Sequence, residues 1–295
     1  MNRRRADAAL AVNTLIWGGT FVVVKSALRD ISPVLFLALR FSLAALALGV
    51  VVAASGREAR RKFGQEGGAV AAGVLIGVLL FAGFLFQTLG LQYTTAPKSA
   101  FLTGLASVMV PLLAALVYKN KPQFPEVLGV LVATAGLGLM TLEGSIGSMG
   151  KGDVLTLLCA VAFAGHIVTL GHFSSKMSFE VLSVTQVGTA AALGLGLFGW
   201  VEPVRVEWRP SVVYAILVTG LLATALTFTV QAWAQRFTTA TRTALIYTLE
   251  PVFAWLISYW TLGEGLAGRT AAGAVLVLAG VVLVEAKPMQ SRLHQ

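Results

Sequence analysis

Glu250 stands in ALIYTLEPVFAWLISYW (244–260) and Arg40 in PVLFLALRFSLAALALGVVVAA (33–54). Each is a lone ionisable side chain in an apolar run, where a charge costs about 2.5–3.5 kcal/mol on membrane-insertion scales. Glu250 could carry a coupling proton, bind an ammonium group, or hold helices together through hydrogen bonds. Arg40 could meet a carboxylate, pair with Glu250, or hydrogen-bond backbone at a helix contact. Gln87 and Gln231 are uncharged donors and acceptors in similar runs, suited either to orienting an amino-acid headgroup or to helix packing. Trp17, Phe84, Phe163, Phe228, Trp233 and Tyr247 could wall a cavity, although aromatic residues in such runs also pack or face lipid. His166, in an Ala/Gly-rich setting, is open to two readings: a satisfied interior histidine or a proton relay. Pro251 lacks an N–H, so the Tyr247 carbonyl should lose its helical partner, and Pro111 should do the same to Ser107.

Other chemistries are excluded. The only histidines are His166, His172 and His294, which form neither a metal-binding pair nor a triad. No glycine loop precedes a Lys-Ser/Thr, so nothing cradles a nucleotide phosphate. One cysteine, Cys159, rules out an internal disulfide. No enzyme activity, cofactor or metal is expected.

These residues need helices to hold them. Of 295 residues, 57% are hydrophobic and 12% charged, about half the charged share of a soluble domain. Long apolar blocks such as AAGAVLVLAGVVLV (271–284) mark a polytopic membrane protein. The net charge of +9 sits in short loops between blocks, which suits topology and anionic lipid better than nucleic acid. MNRRR followed by an apolar stretch resembles a signal peptide, but without a convincing cleavage site it reads as a retained first helix. We expect an all-α polytopic membrane protein with ten transmembrane helices, at 8–29, 33–54, 68–92, 96–118, 124–142, 152–173, 180–199, 211–236, 239–262 and 267–285. With the N-terminus inside, fourteen Lys/Arg fall on the cytoplasmic side and seven on the other, predicting both termini in the cytoplasm. The sequence does not fix an oligomeric state, and a monomer is compatible with it.

The chain also repeats itself. Shifted by 144 residues, 84–142 aligns without a gap on 228–286 with 13 of 59 positions identical, among them Phe84/Phe228, Gln87/Gln231, Gly129/Gly273 and Gly136/Gly280. A shift of 146 sets WGGTF (17–21) beside FAGHI (163–167). Residues 1–143 and 151–286 thus form two five-helix repeats, followed by a cytoplasmic tail, 287–295. Five is odd, so the second repeat enters the membrane inverted, as in secondary transporters whose site lies where the copies meet. YTTAPKSAFL (93–102) and FTTATRTALI (237–246) are then one corner on opposite faces. Lys98 and Arg242 there either snorkel to headgroups or form the paired rims of an alternating-access path.

These two segments, with LEPV (249–252), the Gly-Glu after the ninth helix and the closing GAVLVLAGVVLV (273–284), resemble the EamA family of the drug/metabolite transporter superfamily. The first half departs from the pattern, with Ala106-Ser107 where the second has Glu250-Pro251. Within the family the overall likeness is to bacterial exporters of aromatic amino acids. The resemblance implies a secondary transporter in the bacterial inner membrane, exporting small amphipathic metabolites, amino acids foremost, by alternating access. Its partners would be the small-molecule substrate and membrane lipid. A lipid-processing membrane enzyme, a channel, and a drug or metabolite carrier with another substrate are the competing readings.

Overall fold

The computed structural model describes residues 3–55, 65–94, 96–119, 122–142, 149–262 and 268–285. The expected tail, 287–295, lies outside them, as does Thr95.

The helices fall into ten groups among the described residues. They are α1 (Arg3–Ala27), α2 (Pro33–Ala54), α3 (Gly67–Gly90), α4a (Ala96–Gly104) with α4b (Ala106–Tyr118), and α5 (Phe124–Thr141). The second half continues with α6 (Lys151–Ser174), α7 (Phe179–Val201), α8 (Pro210–Ala234), α9a (Ala240–Tyr247) with α9b (Glu250–Leu262), and α10 (Gly268–Glu285). Seven of these, α2 to α8, are long and apolar enough to cross a membrane, and α10 is a shorter apolar helix. The first and ninth expected spans fall short of that measure. In α9 the chain leaves the helix at Thr248–Leu249, so neither piece reaches spanning length alone. In α1, Arg3, Arg4, Arg5 and Asp7 crowd the first two turns. Among the described residues the only extended pairing is an isolated bridge between Ile31 and Val206.

Local chemistry sets the boundaries. Pro33 and Pro210 open α2 and α8, where a missing N–H costs nothing. Glu126 reaches back to the Gln123 N–H at the start of α5 (3.0 Å). Large apolar side chains, including Leu46, Val50, Leu112, Leu116, Val275 and Val282, are left exposed, a surface that suits lipid. Trp200 and Trp260 are exposed at or near helix ends, where aromatic residues favour the membrane interface.

Two departures from regular helix place the site. The α9 break follows the expected proline logic, since Pro251 cannot donate to Tyr247. The α4 break does not: it falls at Leu105, and Pro111 sits inside the continuous α4b. Leu105 and Leu249 are one repeat apart, so the discontinuity recurs by position while the prolines differ. The second departure, unsignalled in the sequence, is a π-helical turn at Leu221–Leu226 inside α8, a geometry that takes backbone carbonyls off the α-helical ladder.

α5 and α10 cross through glycine. A Cβ on Gly129 would lie 2.7 Å from the Gly280 carbonyl oxygen, and one on Gly136 would lie 2.5 Å from that of Gly273. The rising residue number on one helix meets the falling number on the other, so the two run antiparallel. The remaining helices form a chain of neighbours, with α9 on α1, α1 on α8, α8 on α2 and α7, α7 on α3, α3 on α6 and α6 on α4.

Candidate functional site

A cavity of about 910 Å³ lies inside that chain of helices. It is lined by Trp17, Phe84, Gln87, Phe163, His166, Phe228, Gln231, Tyr247 and Glu250, and by Arg40. Helical periodicity brings these together. Phe84 and Gln87 are one turn apart on α3, as are Phe228 and Gln231 on α8, Phe163 and His166 on α6, and Tyr247 and Glu250 across the α9 break. Trp233 does not line it; it packs elsewhere, 5.7 Å from the Phe237 ring.

The aromatic walls touch one another. Trp17 lies 4.8 Å from Tyr247 and 5.6 Å from Phe228, and Phe84 lies 5.2 Å from Phe163 and 6.1 Å from Phe228, measured between ring centroids. Apart from the Trp17–Phe228 pair, these contacts are edge-to-face, with the positive edge of one ring on the negative face of the next.

Arg40 is committed to the π-helical turn. Its Nε donates to Thr224 Oγ1 (2.7 Å) and its Nη2 to the Ala223 carbonyl (3.0 Å). Trp17 Nε1 donates to that same carbonyl (3.0 Å), and Asn13 Nδ2 to the Thr227 carbonyl (2.8 Å). The off-ladder backbone of α8 is therefore paired by α1 and α2, as a low-dielectric setting demands. The guanidinium also stacks 4.6 Å from the Phe84 ring centroid. Of the three roles open to Arg40, the structure realises the backbone hydrogen bond and makes no ion pair with Glu250.

The polar residues differ in how far they are satisfied. His166 Nε2 is 2.9 Å from Gln186 Oε1, and its ring meets Phe228 edge-on. Gln87 Nε2 donates weakly to Thr103 (3.4 Å). Gln231 donates to Gln235 (3.3 Å), while its own Oε1 is buried with no hydrogen-bond partner among the described residues. Glu250 has neither a hydrogen-bond nor an ion-pair partner there; Arg40, Cys159 and Tyr247 lie within its electrostatic reach.

The two ends of the cavity are unlike. Toward the end where α1 stops, which we call distal, its lining includes Arg29, Pro33, Gln92 and Thr94, and Arg29 and Gln92 are exposed. Toward the end where α1 begins, the proximal end, Ala106, Val110 and Ala114 of α4b pack with Ala240 and Ala244 of α9a and Ala160 and Ala164 of α6. Tyr118 closes this region by donating to the Val168 carbonyl (2.7 Å), and Gln235 by donating to that of Ile167 (3.0 Å).

Lys98 and Arg242 are not among the residues lining the cavity. Lys98 Nζ lies 2.6 Å from Asp153 Oδ2, and Thr94 donates to the other carboxylate oxygen (2.7 Å). Arg242 Nη2 lies 3.3 Å from Asp7 Oδ2, and its Nη1 donates to the Val284 carbonyl (2.8 Å). Thr239 caps α9a by accepting from the Arg242 N–H (3.2 Å). Each half thus lends an aspartate to the other half's cation. Both aspartates were missed in the sequence, although the 146-residue shift that relates WGGTF to FAGHI also relates Asp7 to Asp153.

Comparison with known proteins places this architecture. A model described as the EamA-like transporter family matches residues 4–142 and again 150–286. An uncharacterized transporter of Archaeoglobus fulgidus is 34% identical over 284 residues, covering 96% of this chain and 87% of that protein. The uncharacterized transporter YoaV of Bacillus subtilis is 23% identical over 280 residues, covering 92% and 93%. A solved crystal structure, 19% identical, shares the fold with a TM-score of 0.81 over 97% of this chain and 98% of that one. With both halves matched by the family model, and a 34% identical relative spanning nearly the whole chain, this integral membrane protein belongs to the EamA-like transporter family.

Proposed function

We propose that the protein is a secondary transporter that exports small amphipathic metabolites, aromatic and hydrophobic amino acids foremost, across the bacterial inner membrane by alternating access. The observation that carries this reading is the cavity: near 910 Å³, walled by rings, open at the distal end and sealed at the proximal one. That volume lies in the usual range for small-ligand sites. Its aromatic surfaces suit an apolar side chain. Glu250 and the unpartnered Gln231 Oε1 suit an ammonium group, and Arg40 adds a cation on the same wall.

Reciprocal contacts support the inverted repeat. The Gly129–Gly280 contact becomes the Gly273–Gly136 contact when the halves are exchanged. The pairs Asp7–Arg242 and Asp153–Lys98 exchange in the same way. A two-fold axis between antiparallel α5 and α10 lies across the helices and hence in the membrane plane, which turns one half over relative to the other. By the Lys/Arg distribution, both termini are cytoplasmic and the distal mouth faces outward. The resemblance of the sequence to bacterial exporters of aromatic amino acids supports that substrate class. The sealed proximal end favours a carrier over a channel.

Counterflow in proteoliposomes tests this. Labelled phenylalanine should accumulate in vesicles preloaded with the unlabelled amino acid, and should not in empty ones. Flux that is equal in both, or absent for every aromatic and hydrophobic amino acid, overturns the reading.

A further inference from the structure

The proximal seal has a counterpart that is not closed. Ala244 corresponds to Ala100, Ala106 to Glu250 and Val110 to Ala254 under the 144-residue shift. Ala106, Val110 and Ala244 are buried against one another's helices at the proximal end, at 8%, 0% and 3% exposure. Their counterparts Glu250, Ala254 and Ala100 are less buried and line the cavity, whose lining Ala106 and Ala244 also reach, and α9a packs on α4b whereas α9b barely touches α4a among the described residues. One pair of helices, α4 and α9, is therefore closed at one end and parted at the other. The second state of an alternating-access protein exchanges those roles between the halves.

Such an exchange meets one obstacle. Where the formed seal has the methyl group of Ala106, the other seal has the carboxylate of Glu250. An ionised carboxylate in a dry contact between apolar helices is too costly to persist unpaired. Among the described residues, nothing takes up its charge. Arg40, on α2, is held by Thr224 and Ala223 of α8. Lys98, on α4, is held by Asp153. From α6 come Cys159 and a His166 tied to Gln186, from α9a Tyr247, and from the rim the exposed Arg29. The described α1 side chains on this side of the cavity wall, Trp17, Thr20 and Val24, are uncharged.

We propose that Glu250 makes closure of the distal end conditional: α4a and α9b meet only when a proton or the ammonium group of the cargo has neutralised its carboxylate. This rests on the alternating-access reading and deepens it. Glu250 becomes the residue that admits cationic or zwitterionic cargo and prevents the empty, ionised carrier from closing. The asymmetry between Glu250 and Ala106 then has a purpose, since the proximal seal can form without any such condition.

The test needs no amino acid. With Cys159 replaced by Ser, spin labels are attached at Tyr93 and Trp260, both exposed near the distal ends of α4a and α9b, and their separation is measured in lipid nanodiscs. A shorter-distance population should grow as the pH falls from about 9 to about 4, a range that spans the titration of both buried and ordinary carboxyls. At about pH 9, phenethylamine, which has an ammonium but no carboxylate, should produce the same population. Glu250→Gln should show it at every pH without responding to the amine, and Glu250→Asp should respond as the parent does. A single distance under all conditions, or a pH response that survives unchanged in Glu250→Gln, overturns the proposal. Phenylalanine counterflow in the same labelled protein keeps the two readings apart. Intact counterflow with no distance change refutes the Glu250 switch alone, whereas an intact switch without counterflow refutes the substrate assignment alone.

Discussion

Gly136→Ala tests the crossing on which the symmetry of the molecule turns. The added methyl would sit 2.5 Å from the Gly273 carbonyl oxygen, 2.7 Å from the Val277 nitrogen and 2.8 Å from the Leu276 Cβ. Two of the three neighbours are backbone atoms, so no rotamer change relieves them, and α10 must move by about 1 Å to restore an ordinary contact. Overpacking of this kind costs about 1–3 kcal/mol, and the better helix propensity of alanine returns up to about 1 kcal/mol. The expected net loss is about 1–2 kcal/mol, read as a lower unfolding temperature in detergent. Gly273→Ala, whose methyl would meet the Gly136 carbonyl oxygen at 2.6 Å, should cost about the same. The double variant should lose less than the sum, because helices parted by the first methyl already accommodate the second. Gly138→Ala is the control: it lies in the same helix, but its methyl would find Phe101 at 3.4 Å, so stability should hold or rise. Equal losses from Gly136→Ala and Gly138→Ala, or none from either, would refute the close glycine crossing.

Four other outcomes are expected. Arg40→Leu and Trp17→Phe each leave the Ala223 carbonyl with one donor, whereas the double variant leaves it bare. Thermal unfolding should therefore show a coupling of about 1–3 kcal/mol, the cost of an orphaned buried acceptor. Asp7→Asn should lower the unfolding temperature more than Asp153→Asn, since Arg242 is 6% exposed and Lys98 is 23% exposed and buried pairs cost more to break. Alanine at Trp17, Gln87, Gln231 or Tyr247 should weaken counterflow at unchanged membrane yield, with Gln231 the most sensitive to cargo bearing an ammonium group. Burial pushes the Glu202 carboxyl above its usual range despite hydrogen bonds from Val34, Leu35 and Ser32. The folded state then binds the proton more tightly than the unfolded one, so stability from this group falls as pH rises from the ordinary carboxylate value through the raised one. Glu202→Gln should flatten that slope in a melting-temperature series.

The sequence was most informative where its patterns had a physical period. Apolar blocks of spanning length gave the α2 to α8 helices, because bilayer thickness sets a minimum run that composition alone reveals. Ten of the eleven polar and aromatic residues singled out in the apolar runs line one cavity, Trp233 being the exception, because lone polar groups in apolar helices turn inward and the aromatic residues one turn away share their face. The α9 break was legible through Pro251, which removes a donor that any reader of the chain can see is missing.

What the sequence could not determine were pairings across the molecule, since these depend on which helix faces which. Arg40 had three open roles until the π-helical turn of α8 brought Ala223 and Thr224 within its reach, and no residue in 221–226 announces that turn. Lys98 and Arg242 gave no sign of Asp153 and Asp7, because each partner lies on a helix of the opposite half. Pro111 suggested a break that α4 makes six residues earlier, at Leu105, where the fold repeats a geometry rather than a residue type. The open distal end and closed proximal end are likewise a property of tertiary structure. Two nearly equivalent halves favour both arrangements locally, and only the packing of α4 against α9 decides which end is shut.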